Sequence, residues 1–364
     1  MNSWWQQVFA RLQNEPGTPL PGGGWRVLAT VLAWGYGLGA RGRRWLYDTG
    51  WLKVQRLTCG VISIGNLTVG GTGKTPLVIY LAQRLQDQGR RVAILSRGYG
   101  STAQGTQVIS DGEKIFCQPP QAGDESYLLA RQLHGIPVLT GASRYAAGLV
   151  AEDRFHPELV LLDDGFQHFQ LHRDLDLVLL DAAHPFGNGR LLPRGPLREP
   201  LSTLQRSVVL VLTRYREEQH REQYTKLQAA FPDTPILRAG LRPRRVLSHP
   251  AGQLLPAQSL RGQRLLAFAG LARPWVFAAS LQELGVDITE FHPFPDHYPY
   301  DIKDLERLAE RSRQLGVQAL VTTEKDWARL GERWELEPTL LVLGLEVEWL
   351  DHYSTRIGDY SLEF

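Results

Sequence analysis

The run Gly65-Asn66-Leu67-Thr68-Val69-Gly70-Gly71-Thr72-Gly73-Lys74-Thr75-Pro76 constrains this chain more than any other segment. It follows the apolar stretch Leu57 to Ile64, which reads as a buried strand. It precedes Leu77, Val78, Leu81, Ala82 and Leu85, which recur at helical spacing. A strand, a Gly-rich turn and a helix start form a cradle for phosphate, because backbone N–H groups and the positive end of the helix dipole converge on one point. The loop residues Thr68, Val69, Gly70, Gly71, Thr72, Gly73, Lys74 and Thr75 are therefore the expected nucleotide contacts. Lys74 would reach the β- and γ-phosphates, and the Thr75 hydroxyl would hold Mg²⁺. The general pattern asks for glycine where this chain has Thr68, but Gly70 and Gly71 can still supply unusual backbone angles.

A phosphate loop predicts an α/β fold, and the rest of the chain alternates accordingly. Expected strands are Val92–Ser96, Val138–Thr140, Leu159–Leu162, Leu175–Leu180 and Val208–Thr213, with helices at Ser126–Leu133 and Arg144–Glu152. Near-continuous apolar strands of this kind belong to a parallel sheet covered on both faces. The Asp111-Gly112 pair predicts a hairpin between Gln107–Ile109 and Lys114–Cys117. Pro and Gly cluster from Pro185 to Pro200, as in a long functional loop. A second, smaller α/β block follows: Leu265–Phe268, a helix from Pro274, a strand near Val286–Phe291, a helix from Ile302, then Ala319–Thr322 and Leu340–Val342. The boundary is expected near 240–260, where Pro, Arg and Gly interrupt the pattern. This divides the chain into an N-terminal segment 1–56, a phosphate-loop core 57–245 and a C-terminal α/β domain 246–364.

Charge is uneven. The net charge of +2 excludes a generally basic nucleic-acid binder, yet residues 1–60 carry Arg11, Arg26, Arg41, Arg43, Arg44, Lys53 and Arg56 against Glu15 and Asp48. The same segment holds Trp4, Trp5, Trp25, Trp34, Trp45 and Trp51, and fourteen uncharged residues separate Arg26 from Arg41. That run is shorter than the ~20 residues needed to span a bilayer. Trp and Arg around an apolar run suit a helix lying in a membrane interface, with packing on the protein's own core as the other reading. Cys59 and Cys117 offer neither a disulfide framework nor a zinc spacing.

Several short motifs carry chemistry. Asp163-Asp164 ends an apolar strand, the place where a nucleotide enzyme organises Mg²⁺, and Gln167 and His168 follow at once. Gly123-Asp124-Glu125 opens a helix, either as N-terminal charge complementing the dipole or as a general base with a supporting acid. Phe294-Pro295-Asp296-His297-Tyr298-Pro299 holds an Asp-His pair between prolines, in a stiff loop that could complete a cleft on closure. Thr323-Glu324-Lys325-Asp326 ends a strand and loosely resembles a base-reading motif. Leu212-Thr213-Arg214 is a poor substitute for a guanine-reading sequence, so a GTPase is disfavoured.

Taken in order, GNLTVGGTGKTP, SRGYG (96–100), GDE (123–125), LLDDGFQH (161–168), LREP (197–200), FPDHYPY (294–300) and TEKD (323–326) resemble the tetraacyldisaccharide 4′-kinase (lipid A 4′-kinase) family over nearly the whole chain. Thr68 is part of that family's pattern. The resemblance implies two α/β domains joined by a flexible linker, with ATP between them and Mg²⁺ as cofactor. It implies phosphorylation of the 4′-hydroxyl of a tetraacylated glucosamine disaccharide 1-phosphate to give lipid IVA. It also implies an N-terminal membrane helix on the cytoplasmic face of the inner membrane and a lipid substrate; no protein partner is implied, and the charge pattern argues against nucleic acid. By motif, Asp124 resembles the catalytic base, His297 its partner and Lys74 the phosphate lysine. Thr75, Asp163, Asp164, Gln167 and Glu199 match groups around the metal, and Tyr99, Glu125, Arg144 and Arg198 match substrate positions. The main alternative is a membrane-associated P-loop ATPase switch with no small-molecule acceptor.

Overall fold

The computed structural model describes residues 23–205, 208–330, 334, 337–357 and 360–363. Trp4, Trp5, Arg11 and Glu15 of the N-terminal segment lie outside them. The first described element is a helix of 26 residues, α1 (Gly23–Asp48). The first lobe then runs β1 (Gly60–Asn66), α2 (Lys74–Asp87), β2 (Val92–Ser96), β3 (Gln107–Ser110), α3 (Asp124–Gln132), β4 (Val138–Thr140), α4 (Arg144–Phe155), β5 (Leu159–Asp163), β6 (Leu175–Asp181), β7 (Val208–Thr213) and α5 (Glu217–Ala230). The second comprises β8 (Ile236–His249), β9 (Gln253–Pro256), β10 (Arg264–Ala269), α6 (Pro274–Glu283), β11 (Asp287–Pro293), α7 (Ile302–Leu315), β12 (Ala319–Thr323), α8 (Glu324–Leu330) and β13 (Leu340–Trp349). A hairpin, β14 (Ser354–Ile357) and β15 (Tyr360–Glu363), ends the chain.

The chain is α/β, as the strand rhythm predicts. Alternate residues of each buried strand face opposite layers, the period-2 consequence of the pleat. In the first lobe Ile62, Ile64, Ile94 and Leu161 meet Leu81 and Leu128 of α2 and α3. Their neighbours Val61, Ala93, Leu95 and Val160 meet Ala147 and Ala151 of α4 on the other face. The second lobe repeats the arrangement: Leu265 and Ala267 pack on Phe277 and Leu281 of α6, and Leu266 and Phe268 on Leu305 and Leu308 of α7.

One 13-stranded sheet runs through both lobes in the order β11-β10-β12-β13-β8-β7-β6-β1-β5-β2-β4-β3, with β9 added beside β8. Residues 240–249, where the sequence suggests a break, are strand. β8 pairs parallel to β7 through Ile236–Ala239 and antiparallel to β13 through Ala239–His249. Pro243 is accommodated because the ladder shifts register between Gly344 and Leu345, and a bulge is where a missing N–H is tolerated. Arg242 and Arg244 pair with Glu348 across the ribbon. The last strands also return to the first lobe: Ile357 and Leu362 join its core.

This ribbon decides where a ligand can sit. β8 leaves the first lobe parallel to β7, and β13 leaves the second parallel to β12, yet the two are antiparallel. The C-terminal ends of both sets of parallel strands therefore point toward one another. Ligands of open α/β sheets bind at those ends, so both lobes offer their loops to a shared cleft.

Two local expectations shift. The loop strand is Gly60–Asn66, because Glu152 Oε1 accepts the Thr58 and Cys59 N–H groups at 2.6 and 2.9 Å and holds that end away from the sheet. The Asp111-Gly112 turn forms, but its second arm contributes only a bridge between Ser110 and Ile115. β3 pairs instead with β4.

Candidate active site

The cleft has a volume of about 1070 Å³. The phosphate loop forms its floor. Gly70 and Gly73 take positive φ of 114° and 86°. Gly73 caps α2, and a Cβ there would meet Leu241 of β8 at 2.6 Å, so the ribbon seats directly on the loop. Gly65 has no room either: a Cβ would meet the Phe166 backbone N at 2.8 Å. Thr68 needs no glycine because it is buried and forms an isolated antiparallel bridge to Leu197.

The loop's carbonyls are tied from behind. Asn66 Nδ2 donates to Gly70 O (3.2 Å) and Thr213 Oγ1 to Thr72 O (2.8 Å). Arg214 and Arg273 both donate to Gly71 O, at 2.8 and 3.3 Å, and both pair with Asp181, at 2.8 and 3.0 Å. Fixing the carbonyls outward orients the peptide N–H groups toward a phosphate. Arg214 comes from the first lobe and Arg273 from the second, so the loop is clamped from both. This trio carries no local sequence signal: Thr213-Arg214 reads only as a poor base-reading motif, Asp181 is a lone strand-end acid and Arg273 a lone residue before α6.

Lys74, at the start of α2, lies 3.5 Å from Asp164 Oδ1, and Arg198 Nη1 bonds the same carboxylate at 3.0 and 3.1 Å. Burial works against the Asp164 charge, but Lys74 and Arg198 outweigh it and hold the carboxyl below its ordinary value. Asp163 is the opposite case. Both its oxygens are buried and accept no hydrogen bond. Burial, then Glu125 and Asp164, push its carboxyl up to about 7. A buried carboxylate without a donor is a position that a cation would satisfy. Thr75 is buried beside the loop, and Gln167 accepts from Arg198 (3.1 Å) while donating to Asn66 O (3.0 Å). Among the described residues no three His, Cys, Asp or Glu side chains converge as a metal cage.

The facing wall joins the lobes. Asp124 Oδ2 accepts from Arg329 Nε at 2.7 Å and lies 3.2 Å from His297 Nδ1. Burial opposes the Asp124 charge, but His297 and Arg329 prevail and keep its carboxyl below the ordinary value. His297 has φ of 57°, which its stiff proline-flanked loop imposes, and its ring lies 5.7 Å from that of Tyr99. Glu125 meets Lys325 at 2.6 Å, and that ammonium holds its carboxyl down to about 2. Tyr99, Glu125, Arg144, Arg198 and His297 line the cleft. Glu199 is buried next to Arg198, whose carbonyl accepts from Tyr36 of α1 at 2.9 Å. Asp326, in the loosely base-reading motif, faces the second lobe's interior, where Tyr300 and Gly270 donate to it. Arg329 was missed altogether, since a lone arginine on a short helix carries no sequence signal.

The Glu125–Lys325 pair gives a stability prediction. The folded pKa of Glu125 is depressed, so its contribution is present above the ordinary value near 4.5 and is lost as pH falls toward about 2. Glu125→Gln is expected to cost about 1–2 kcal/mol at pH 7, discounted for partial solvation of the pair. The deficit should narrow below pH 4.5, where the unfolded wild-type chain takes up a proton at Glu125 that the folded chain does not bind until about pH 2. Urea melts across pH check this, and a deficit independent of pH would contradict it.

A strand–loop–helix whose lysine meets an acidic strand end, with a second α/β lobe lining the same cleft, defines a P-loop phosphotransferase. Comparison narrows the class. The family model for tetraacyldisaccharide-1-P 4′-kinase matches residues 25–358, and the chain belongs to that family. The tetraacyldisaccharide 4′-kinase of Geobacter metallireducens is 43% identical over 320 residues, covering 88% of this chain and 91% of that protein. That of Syntrophus aciditrophicus is 39% identical over 347 residues, covering 93% of each. Among solved structures, LpxK from Aquifex aeolicus in complex with ATP superposes with a TM-score of 0.73 at 34% identity, over 90% of this chain and 95% of that one.

Proposed function

We propose that this chain transfers the γ-phosphoryl group of ATP to the 4′-hydroxyl of a tetraacylated glucosamine disaccharide 1-phosphate, forming lipid IVA. The observation that carries the reading is the Asp124–His297 pair, which brings a carboxylate of the first lobe and an imidazole of the second together, the imidazole lining the same cleft as the phosphate loop. The family relationship and the ATP complex of the Aquifex relative support it. Phosphoryl transfer to an alcohol needs a group to take the hydroxyl proton and charge to meet the phosphoryl oxygens. Asp124 takes that proton, and His297 orients it. Lys74 meets the transferred phosphoryl group, with Thr68–Thr75 cradling the phosphates. Tyr99, Glu125, Arg144 and Arg198 position the acceptor.

Thr75, Asp163, Asp164, Gln167 and Glu199 would hold Mg²⁺, which when bound neutralises charge on the phosphate oxygens. We read residues 57–245 and 246–364 as the nucleotide and closing domains, with the β8/β13 ribbon as their hinge.

α1 supports membrane association. No helix among the described residues is long and apolar enough to cross a bilayer. Yet α1 is inverted: small Ala33 and Gly37 face the protein, Gly37 against Leu191, while Val31, Trp34 and Leu38 are 63%, 72% and 52% exposed. Large apolar groups facing outward beside Arg41, Arg43 and Arg44 suit an anionic interface at the cytoplasmic face of the inner membrane. Replacing Val31, Trp34, Leu38 and Trp45 by serine is expected to weaken cosedimentation with anionic liposomes at least about tenfold. Unchanged cosedimentation would remove the idea.

The activity is tested by incubating the purified chain with ATP, Mg²⁺ and tetraacyl disaccharide 1-phosphate in detergent. A bisphosphorylated lipid is expected; ATP hydrolysis with the lipid unchanged would favour an ATPase switch.

A further inference from the structure

We propose that Arg329 of α8 is the positioning residue of the site, setting Asp124 and His297 in register when the second lobe meets the first. This rests on Asp124 being the base. Arg329 is 7% exposed, and every part of its guanidinium is engaged. Nη1 donates to Gly270 O at 2.8 Å and Asp326 Oδ1 at 3.1 Å. Asp326 is in turn fully buried and accepts from Gly270 N, Tyr300 Oη and Thr323 Oγ1 at 2.9, 2.8 and 2.6 Å. The fork is thus braced by the core of its own lobe before Nε reaches across to Asp124 Oδ2 at 2.7 Å, closer than His297 at 3.2 Å.

The chemistry argues for positioning and against proton transfer. A permanent cation beside a base lowers its basicity. Arg329 therefore works against proton uptake, and what it supplies is geometry. Both contacts fall on Oδ2, which leaves Oδ1 for the acceptor hydroxyl. Nη2 also lies 3.4 Å from His297 Nδ1. That nitrogen cannot both donate to Asp124 and accept from Arg329, so the guanidinium and the imidazole must be arranged together. One turn earlier on α8, Lys325 meets Glu125. Consecutive carboxylates at the start of α3 are thereby matched by two cations at helical i, i+4 spacing, a clasp that assembles the dyad only when the lobes meet. The charged groups around Asp124 are His297 from the loop after β11, Arg329 from α8, and Glu125 beside it, which Lys325 neutralises.

The test compares Arg329→Met, Arg329→Lys and the double variant Asp326→Asn/Arg329→Met in the full chain, with ATP and the tetraacyl acceptor. Arg329→Met is expected to lower kcat about 10- to 100-fold with ATP KM within about twofold. The acid limb of its kcat profile should move to higher pH, because a cation that helped hold the Asp124 carboxyl down is gone. Arg329→Lys should keep the acid limb in place yet recover only part of kcat, since an ammonium cannot reach Gly270, Asp326 and Asp124 together. The double variant relieves Asp326 of an unpaired buried charge, so it should melt like wild type and still show the kcat loss. Arg329→Lys or the double variant with wild-type kcat, or an acid limb unmoved in Arg329→Met, would overturn the proposal. Failure of the underlying function would appear differently, as no lipid phosphorylation by the wild-type chain, and would take the proposal with it.

Discussion

Lys74→Met is expected to lower kcat about 10²- to 10³-fold, the loss seen when one preorganised charge facing a transition state is removed. The methionine keeps the stem and loses the ammonium. The fold should tolerate this, because the partner carboxylate Asp164 keeps Arg198 at 3.0 Å. The loop carbonyls are held by Asn66, Thr213, Arg214 and Arg273, none of which depends on Lys74. The effect should therefore fall on the chemical step, with melting temperature nearly unchanged and only a modest rise in ATP KM. Steady-state transfer kinetics with a thermal melt separate these. A kcat within tenfold of wild type would mean that Lys74 is a structural partner of Asp164 and no more.

Asp124→Ala is expected to lower kcat by at least ~100-fold with little change in ATP KM, the pattern of an interaction made only in the transition state. His297 and Arg329 keep the Asp124 carboxyl below the ordinary range, so it is a weak base held ionised at neutral pH. Its value is placement of the hydroxyl, with the proton leaving late. His297→Ala should lose less, because Arg329 still holds Oδ2 at 2.7 Å. A near-normal kcat for Asp124→Ala would remove it as base, and a greater loss for His297→Ala would reverse the two roles.

Much of this site was legible because its parts are local. The phosphate loop and Asp163-Asp164 each sit at the end of an apolar strand, visible as a continuous apolar run, and the Asp-His loop is marked by its flanking prolines. What was hidden is what crosses between lobes. Arg273 and Arg329 acquire meaning only once the antiparallel ribbon turns the second set of strand ends toward the first. In the sequence that ribbon reads only as an interruption of the pattern. Ile236–His249 is half-solvated, rich in arginine and contains Pro243, so it lacks the apolar run that marked β1, β5, β6 and β7. Its pairing with β13 is a long-range event that no local pattern encodes. Thr68 shows the reverse: a departure from the general loop pattern that its buried bridge to Leu197 explains.

With γ-labelled ATP, Mg²⁺ and tetraacyl disaccharide 1-phosphate in mixed micelles, the label should appear in the lipid, on the 4′ position of the non-reducing sugar. Label confined to inorganic phosphate, or carried on any other position of the acceptor, would contradict transfer to the 4′-hydroxyl.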